Sequence, residues 1–134
     1  MCIRDRSIAQ RLDRETSGGG LRLRALGAAK TSQGDRAVLA IYVRMENDGS
    51  APIRVDPAFF KLNDRGGTKY PISKAVEASL PAIDLAPRSG PGESGKLTEG
   101  NLTFEIPRAA GGLALSYEPP SGAPLRIPLP PEFG

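Results

Sequence analysis

The chain of 134 residues contains no histidine, no tryptophan and one cysteine, and only 5% of its residues are aromatic. Without histidine, the commonest zinc, copper and haem sites lose their ligands. The same absence removes Ser-His-Asp and Cys-His catalysis. A single cysteine, Cys2, excludes an intrachain disulfide framework. No uninterrupted apolar run approaches the ~20 residues that a membrane helix requires. These gaps point away from catalysis, and the expectation is a non-enzymatic chain with no metal and no cofactor.

What remains is rich in chain-turning residues, with 16 glycines and 13 prolines, and 39% hydrophobic content is enough for a core. The length suits one domain, since single domains cluster near ~100–150 residues. Basic residues exceed acidic ones by 18 to 15. The arginines, however, lie singly at alternating positions (Arg22, Arg24, Arg44, Arg54, Arg126) and are interleaved with acids. Nucleic-acid binders concentrate their charge and offer stacking rings, so no nucleic-acid partner is expected.

Met1-Cys2-Ile3-Arg4-Asp5-Arg6 resembles the translation of a transposon-end sequencing adapter. Read that way, residues 1–6 and the lone thiol are foreign, and a leader or lipid anchor upstream has been lost. Residues 7–18 read as a linker or a loose first strand, residues 19–130 as the folded domain, and residues 131–134 as a tail.

Within the domain the dominant signal is a period of two, which places alternate side chains on opposite faces of a strand. Leu21 and Leu23 oppose Arg22 and Arg24 in this way. The strongest strand runs from Ala37 to Glu46, with Leu39, Ile41, Val43 and Met45 on one face, and its half-apolar opposite face predicts a central position. Asn47-Asp48-Gly49-Ser50 then predicts a hairpin into Ile53 and Val55. Phe60 and Leu62 share a face before the turn Asn63–Gly67, and Thr68–Tyr70 follows. Ser73–Leu80 is the single candidate helix, capped by Ser73 and ended by Pro81. Residues 86–100, dense in Gly, Pro and Ser, read as a connection. Leu102, Phe104 and Ile106 alternate until Pro107. Leu113, Leu115 and Tyr117 alternate again, and Leu125, Ile127 and Leu129 close the series, with Pro128 predicting an edge. Seven or eight short strands with at most one short helix predict an all-β, antiparallel sandwich or barrel.

Several motifs carry less than they first suggest. Gly90-Pro91-Gly92-Glu93-Ser94-Gly95-Lys96 matches a phosphate-binding loop for seven positions, but Leu97 replaces the hydroxyl that holds magnesium and no helix follows. Asn101-Leu102-Thr103 fits a glycosylation pattern by accident, because Leu102 faces inward. Asp48, Asp56, Asp64 and Asp84 fall in separate turns and form no calcium loop.

From Gly19 onward the order of features resembles a bacterial family of unknown function with a telokin-like, immunoglobulin-type sandwich. The resemblance runs through Gly19-Gly20-Leu21, Val38–Glu46 into Asn47-Asp48-Gly49, Pro52-Ile53-x-Val55, Phe60-x-Leu62, Gly66 and Tyr70. It continues through Leu85-Ala86-Pro87, Gly92-Glu93-Ser94-x-x-Leu97 and Leu102–Pro107. It ends with Gly112-Leu113-x-Leu115-x-Tyr117-Glu118-Pro119 and Leu125-x-Ile127-x-Leu129. The stretch between Gly92 and Leu102 is longer than the family's. The family occurs in secreted proteins and lipoproteins, so the resemblance implies export, and it supplies no catalytic residue. Its residues have structural roles: Asn47, Gly49 and Gly66 in turns, with positive φ expected at both glycines, and Phe60, Leu62, Tyr70, Phe104, Pro107, Leu115 and Tyr117 in or beside the core. The functional expectation is an extracytoplasmic module acting through contacts with a protein partner. The alternative is a small-ligand carrier or sensor of the cell envelope.

Overall fold

A computed structural model describes residues 7–18, 20–47, 49, 52–73, 83–85, 97–108, 110–119 and 124–129. Ten strands lie among them: β1 (Ser7–Gly18), β2 (Leu21–Gln33), β3 (Arg36–Asn47), β4 (Ile53–Val55), β5 (Phe60–Asn63), β6 (Lys69–Pro71), β7 (Ile83–Leu85), β8 (Leu97–Pro107), β9 (Ala114–Tyr117) and β10 (Leu125–Pro128). Every strand pairing is antiparallel. A long-stranded sheet has the order β1-β2-β3-β8, a shorter one β10-β9-β5-β6, and β4 pairs with β7. The fold is an antiparallel β-sandwich.

Alternation in β3 becomes burial. Ala37, Leu39, Ile41, Val43 and Met45 are fully buried, while Val38, Ala40, Tyr42, Arg44 and Glu46 stay half-exposed on the outer face. Facing β3 across the sandwich, Phe60 and Leu62 of β5 and Leu115 and Tyr117 of β9 complete the core with Phe104 of β8. The Phe60 and Tyr117 rings lie 4.7 Å apart between centroids. The Tyr117 hydroxyl donates to the Arg54 carbonyl at 3.1 Å, tying β9 to β4. An isolated bridge between Ile72 and Phe104, with the Ser73 amide donating to the Thr103 carbonyl at 2.6 Å, joins the two sheets along one flank.

The period of two breaks once in the long sheet. Ala25 pairs with Val43 and Gly27 with Tyr42, so Leu26 is the extra residue of a β-bulge. Before it the odd-numbered Leu21, Leu23 and Ala25 point inward; after it the even-numbered Ala28, Lys30 and Ser32 do. β1 is irregular at the same level, between Arg11 and Arg14, and buries Leu12.

Several expectations need correction. Of the two readings of residues 7–18, linker or loose first strand, the strand holds: they form β1, paired with β2, and no apolar alternation marks it because Arg14 and Thr16 stand opposite the buried Ala25 and Leu23. The hairpin from Asn47 into Ile53 does not form. Both edges of β3 are taken by β2 and β8, so the chain leaves the sheet after Asn47 and β4 pairs with β7 instead. Neither Gly49 nor Gly66 has positive φ. Gly49 allows a close approach, since a Cβ there would stand 3.3 Å from the Gly20 Cα. The left-handed residue of the second turn is Gly67, at φ +86. Residues 97–100 are not connection but the first part of β8, with Leu97 through Gly100 opposite Glu46 through Val43. That register, from Leu97 to Pro107, is continuous. The strands number ten rather than seven or eight because β1 and the three-residue β7 carry no readable alternation. Of the candidate helix, residues 74–80 lie outside the described residues, as do residues 1–6, the phosphate-loop-like segment 90–96 and the tail 131–134.

Candidate functional site

Register sorts the outward side chains of the long sheet into rows. Toward one end, Glu15, Arg24, Arg44 and Glu99 occupy neighbouring positions across β1, β2, β3 and β8. Arg24 binds Asp13 at 2.7 Å and Arg44 binds Glu99 at 3.0 Å. Arg22 reaches Glu15 at 3.3 Å and Glu46 at 3.6 Å. Hydrogen bonds from Arg44 and then Tyr42 hold the Glu99 carboxyl below the usual carboxylate range, and the bond to Glu99 raises the Tyr42 hydroxyl. This half of the face is a closed exchange of charges.

Beyond the bulge the surface changes. Gly27 of β2 stands between Arg11 of β1 and Tyr42 of β3, and Tyr42 faces Asn101 of β8. The next row places Ala29 beside Ala40. Side chains this short leave the sheet backbone close to the surface. The result is an open hollow of about 370 Å³, floored by Gly27, Ala28, Ala29 and Ala40 and rimmed by Arg11, Tyr42 and Asn101.

The residues expected to have structural roles do not gather into a site; they are spread over core and turns. Phe60, Leu62, Phe104, Leu115 and Tyr117 are buried in the core. Asn47 is fully buried and accepts the Gly49 amide at 2.9 Å. Tyr70 donates to Asp64 at 2.8 Å across the β5–β6 turn, whose glycines are Gly66 and Gly67. Pro107 ends β8 opposite Arg36, and its carbonyl accepts the Ala110 amide at 3.0 Å. Asp56 accepts the Ala58 amide at 2.9 Å, so both aspartates are engaged in turns. Among the described residues no three of His, Cys, Asp and Glu converge on a metal position, and no helix is long and apolar enough to cross a membrane.

One buried cation lies on the inner face. Lys30, brought inward by the bulge, is 7% exposed, and burial, then the nearby Arg108, lowers its amine below the ordinary lysine range. No local sequence pattern announces the hollow or its rim. Gly27, Ala28, Ala29 and Ala40 look like filler, and only the register after the bulge puts Arg11, Tyr42 and Asn101 around them.

The family model described as Domain of unknown function (DUF4352) matches residues 23–124. No curated protein matches the chain. Among solved structures the chain is similar to a candidate lipoprotein (ycdA) from Bacillus subtilis subsp. subtilis str. 168, with 20% identity and a TM-score of 0.68, over 91% of this chain and 40% of that one. It thus spans two-fifths of that chain's length. It is also similar to a conserved hypothetical protein from Bacillus anthracis (10% identity, TM-score 0.59, 88% of this chain and 96% of that one). A further likeness is to the yjhA protein from Bacillus subtilis (22% identity, TM-score 0.55, 77% and 76%). At these identities the likeness is one of fold.

Proposed function

Since this chain belongs to the family Domain of unknown function (DUF4352), we propose that it is a non-catalytic, immunoglobulin-like module of the extracytoplasmic space that acts through contacts with another protein. The observation that carries the reading is the outer face of the long sheet. It is broad and open, half closed ion pairs and half a shallow hollow with a neutral floor, a form suited to a docked surface rather than to an engulfed reactant. The likeness to a candidate lipoprotein supports placement outside the cytoplasm. We read residues 1–6 as adapter sequence, so the test is the gene upstream of Ser7. A signal peptide ending in a lipobox cysteine supports the reading, and a cytoplasmic start directly before Ser7 overturns it.

A second reading, a small-ligand carrier or sensor, has the volume of the hollow in its favour, since ligand sites begin near ~300 Å³. Against it stands the lack of enclosure, for such sites bury roughly 70–90% of their ligand.

A further inference from the structure

On the outer face of the long sheet, Arg22, Arg24 and Arg44 are each bound by carboxylates. Arg11, exposed on β1 at the rim of the hollow, has no ion pair or hydrogen bond among the described residues. The carboxylate nearest in register on the far strand, Glu99, is already occupied by Arg44 and Tyr42. One uncompensated guanidinium therefore borders a neutral floor of Gly27, Ala29 and Ala40, and a guanidinium presents a planar fork that fits a carboxylate.

We propose that the hollow is the docking site for an acidic, extended segment of a protein partner, with a Glu or Asp side chain received by Arg11 and the segment crossing the strands toward Asn101. This deepens the protein-contact reading and rests on it. Arg11 and Asn101 are on the two outer strands of the four, three interstrand spacings apart, or about 14 Å. That span is the reach of about four extended residues. The short side chains of Gly27, Ala29 and Ala40 let a chain lie near the sheet, the Tyr42 ring forms a side wall, and Asn101 marks the far rim. A floor without charge leaves Arg11 as the group that sets the sign of the partner.

The probe is the tetrapeptide Ac-Glu-Ala-Gly-Ala-NH₂, titrated into the isotope-labelled chain and followed by amide shifts. Saturable shifts at Gly27, Ala28, Ala29 and Ala40 are expected. The Gln-containing peptide, or the Arg11→Gln variant, binds about two- to fivefold more weakly, the range set by an exposed ion pair. Ala29→Gln, an exposed change that fills the hollow without adding charge, abolishes the shifts. No saturable binding, shifts elsewhere, or equal affinity for the Gln peptide overturns the proposal. Acetate reproducing every shift at the same concentration overturns it too, since the site would then be one for a small anion. An exported chain that ignores the peptide removes this site but not the module reading, whereas a cytoplasmic chain that binds it removes the placement but not the site.

Discussion

Arg24 and Arg44 stand directly opposite each other in the β2–β3 ladder, two like charges in register on one face. Such a pair repels. It is tolerated because the strands on either side supply acids: Asp13 from β1 lies 2.7 Å from Arg24, and Glu99 from β8 lies 3.0 Å from Arg44. The row in register, Glu15, Arg24, Arg44 and Glu99, reads acid, base, base, acid across four strands.

Removing one outer acid should expose the repulsion. Glu99→Gln is expected to lower the melting temperature at low ionic strength, and the difference from the parent should shrink near ~1 M salt, where the Debye length is ~3 Å. Thermal melts at two salt concentrations check this; a difference indifferent to salt would assign the loss to packing.

The same carboxyl has a pH signature. Its folded-state ionisation lies below the ordinary range because Arg44 and Tyr42 donate to it. A depressed carboxyl contributes its full stability above the unfolded value of ~4.3 and loses it as pH falls through the folded one. The parent should therefore lose more stability than Glu99→Gln on acidification below that range, as read by urea melts at stepped pH.

Tyr117 titrates in the opposite sense. Burial pushes its hydroxyl up to about 12, against an ordinary value of ~10. The folded state keeps the proton that the unfolded state gives up, so stability is intact below pH ~10 and falls between there and about 12, by about 2–3 kcal/mol. Tyr117→Phe should abolish that alkaline step. It should also cost about 0.5–1.5 kcal/mol at neutral pH through loss of the bond to the Arg54 carbonyl.

The core offers a plainer test. Phe104 is fully buried, and Phe104→Ala should cost ~3–5 kcal/mol in urea melts. A loss under about 1 kcal/mol would contradict its place between the sheets.

Two glycines with nearly equal backbone angles separate strain from collision. Gly34 and Gly112 have φ of +62 and +65. A Cβ at Gly34 meets nothing within 4 Å, whereas at Gly112 it would lie 2.8 Å from the Arg65 Cβ and 3.2 Å from its Cα. Gly34→Ala should cost roughly 1–2 kcal/mol for the left-handed backbone alone, and Gly112→Ala distinctly more.

Where one residue type alternated with another, the strands could be read directly. Leu39, Ile41, Val43 and Met45 announce β3, and Leu125, Ile127 and Pro128 announce an edge strand, which is where β10 lies. Thr98, Glu99, Gly100 and Asn101 carry no apolar alternation, so the first half of β8 is visible only through its ladder to β3. Asn47-Asp48-Gly49 suggests a hairpin because Asn and Gly suit tight turns, but a turn cannot form a hairpin when both edges of its first strand are taken. The hollow was hidden for a related reason. Its residues come from four strands spread from Arg11 to Asn101, and their meeting depends on the register between those strands and on the bulge that shifts it.

Leu26 stands outside the count of two that governs its strand. A chain one residue shorter at this point alone would keep Leu23, Ala25 and Ala28 inside and Gly27 and Ala29 over the hollow, because the ladder to β3 already steps from Ala25 to Gly27 without it. The pairing of β2 with β3 thus holds one spare residue, a place where a change in length can be absorbed without turning a single neighbour to the wrong side.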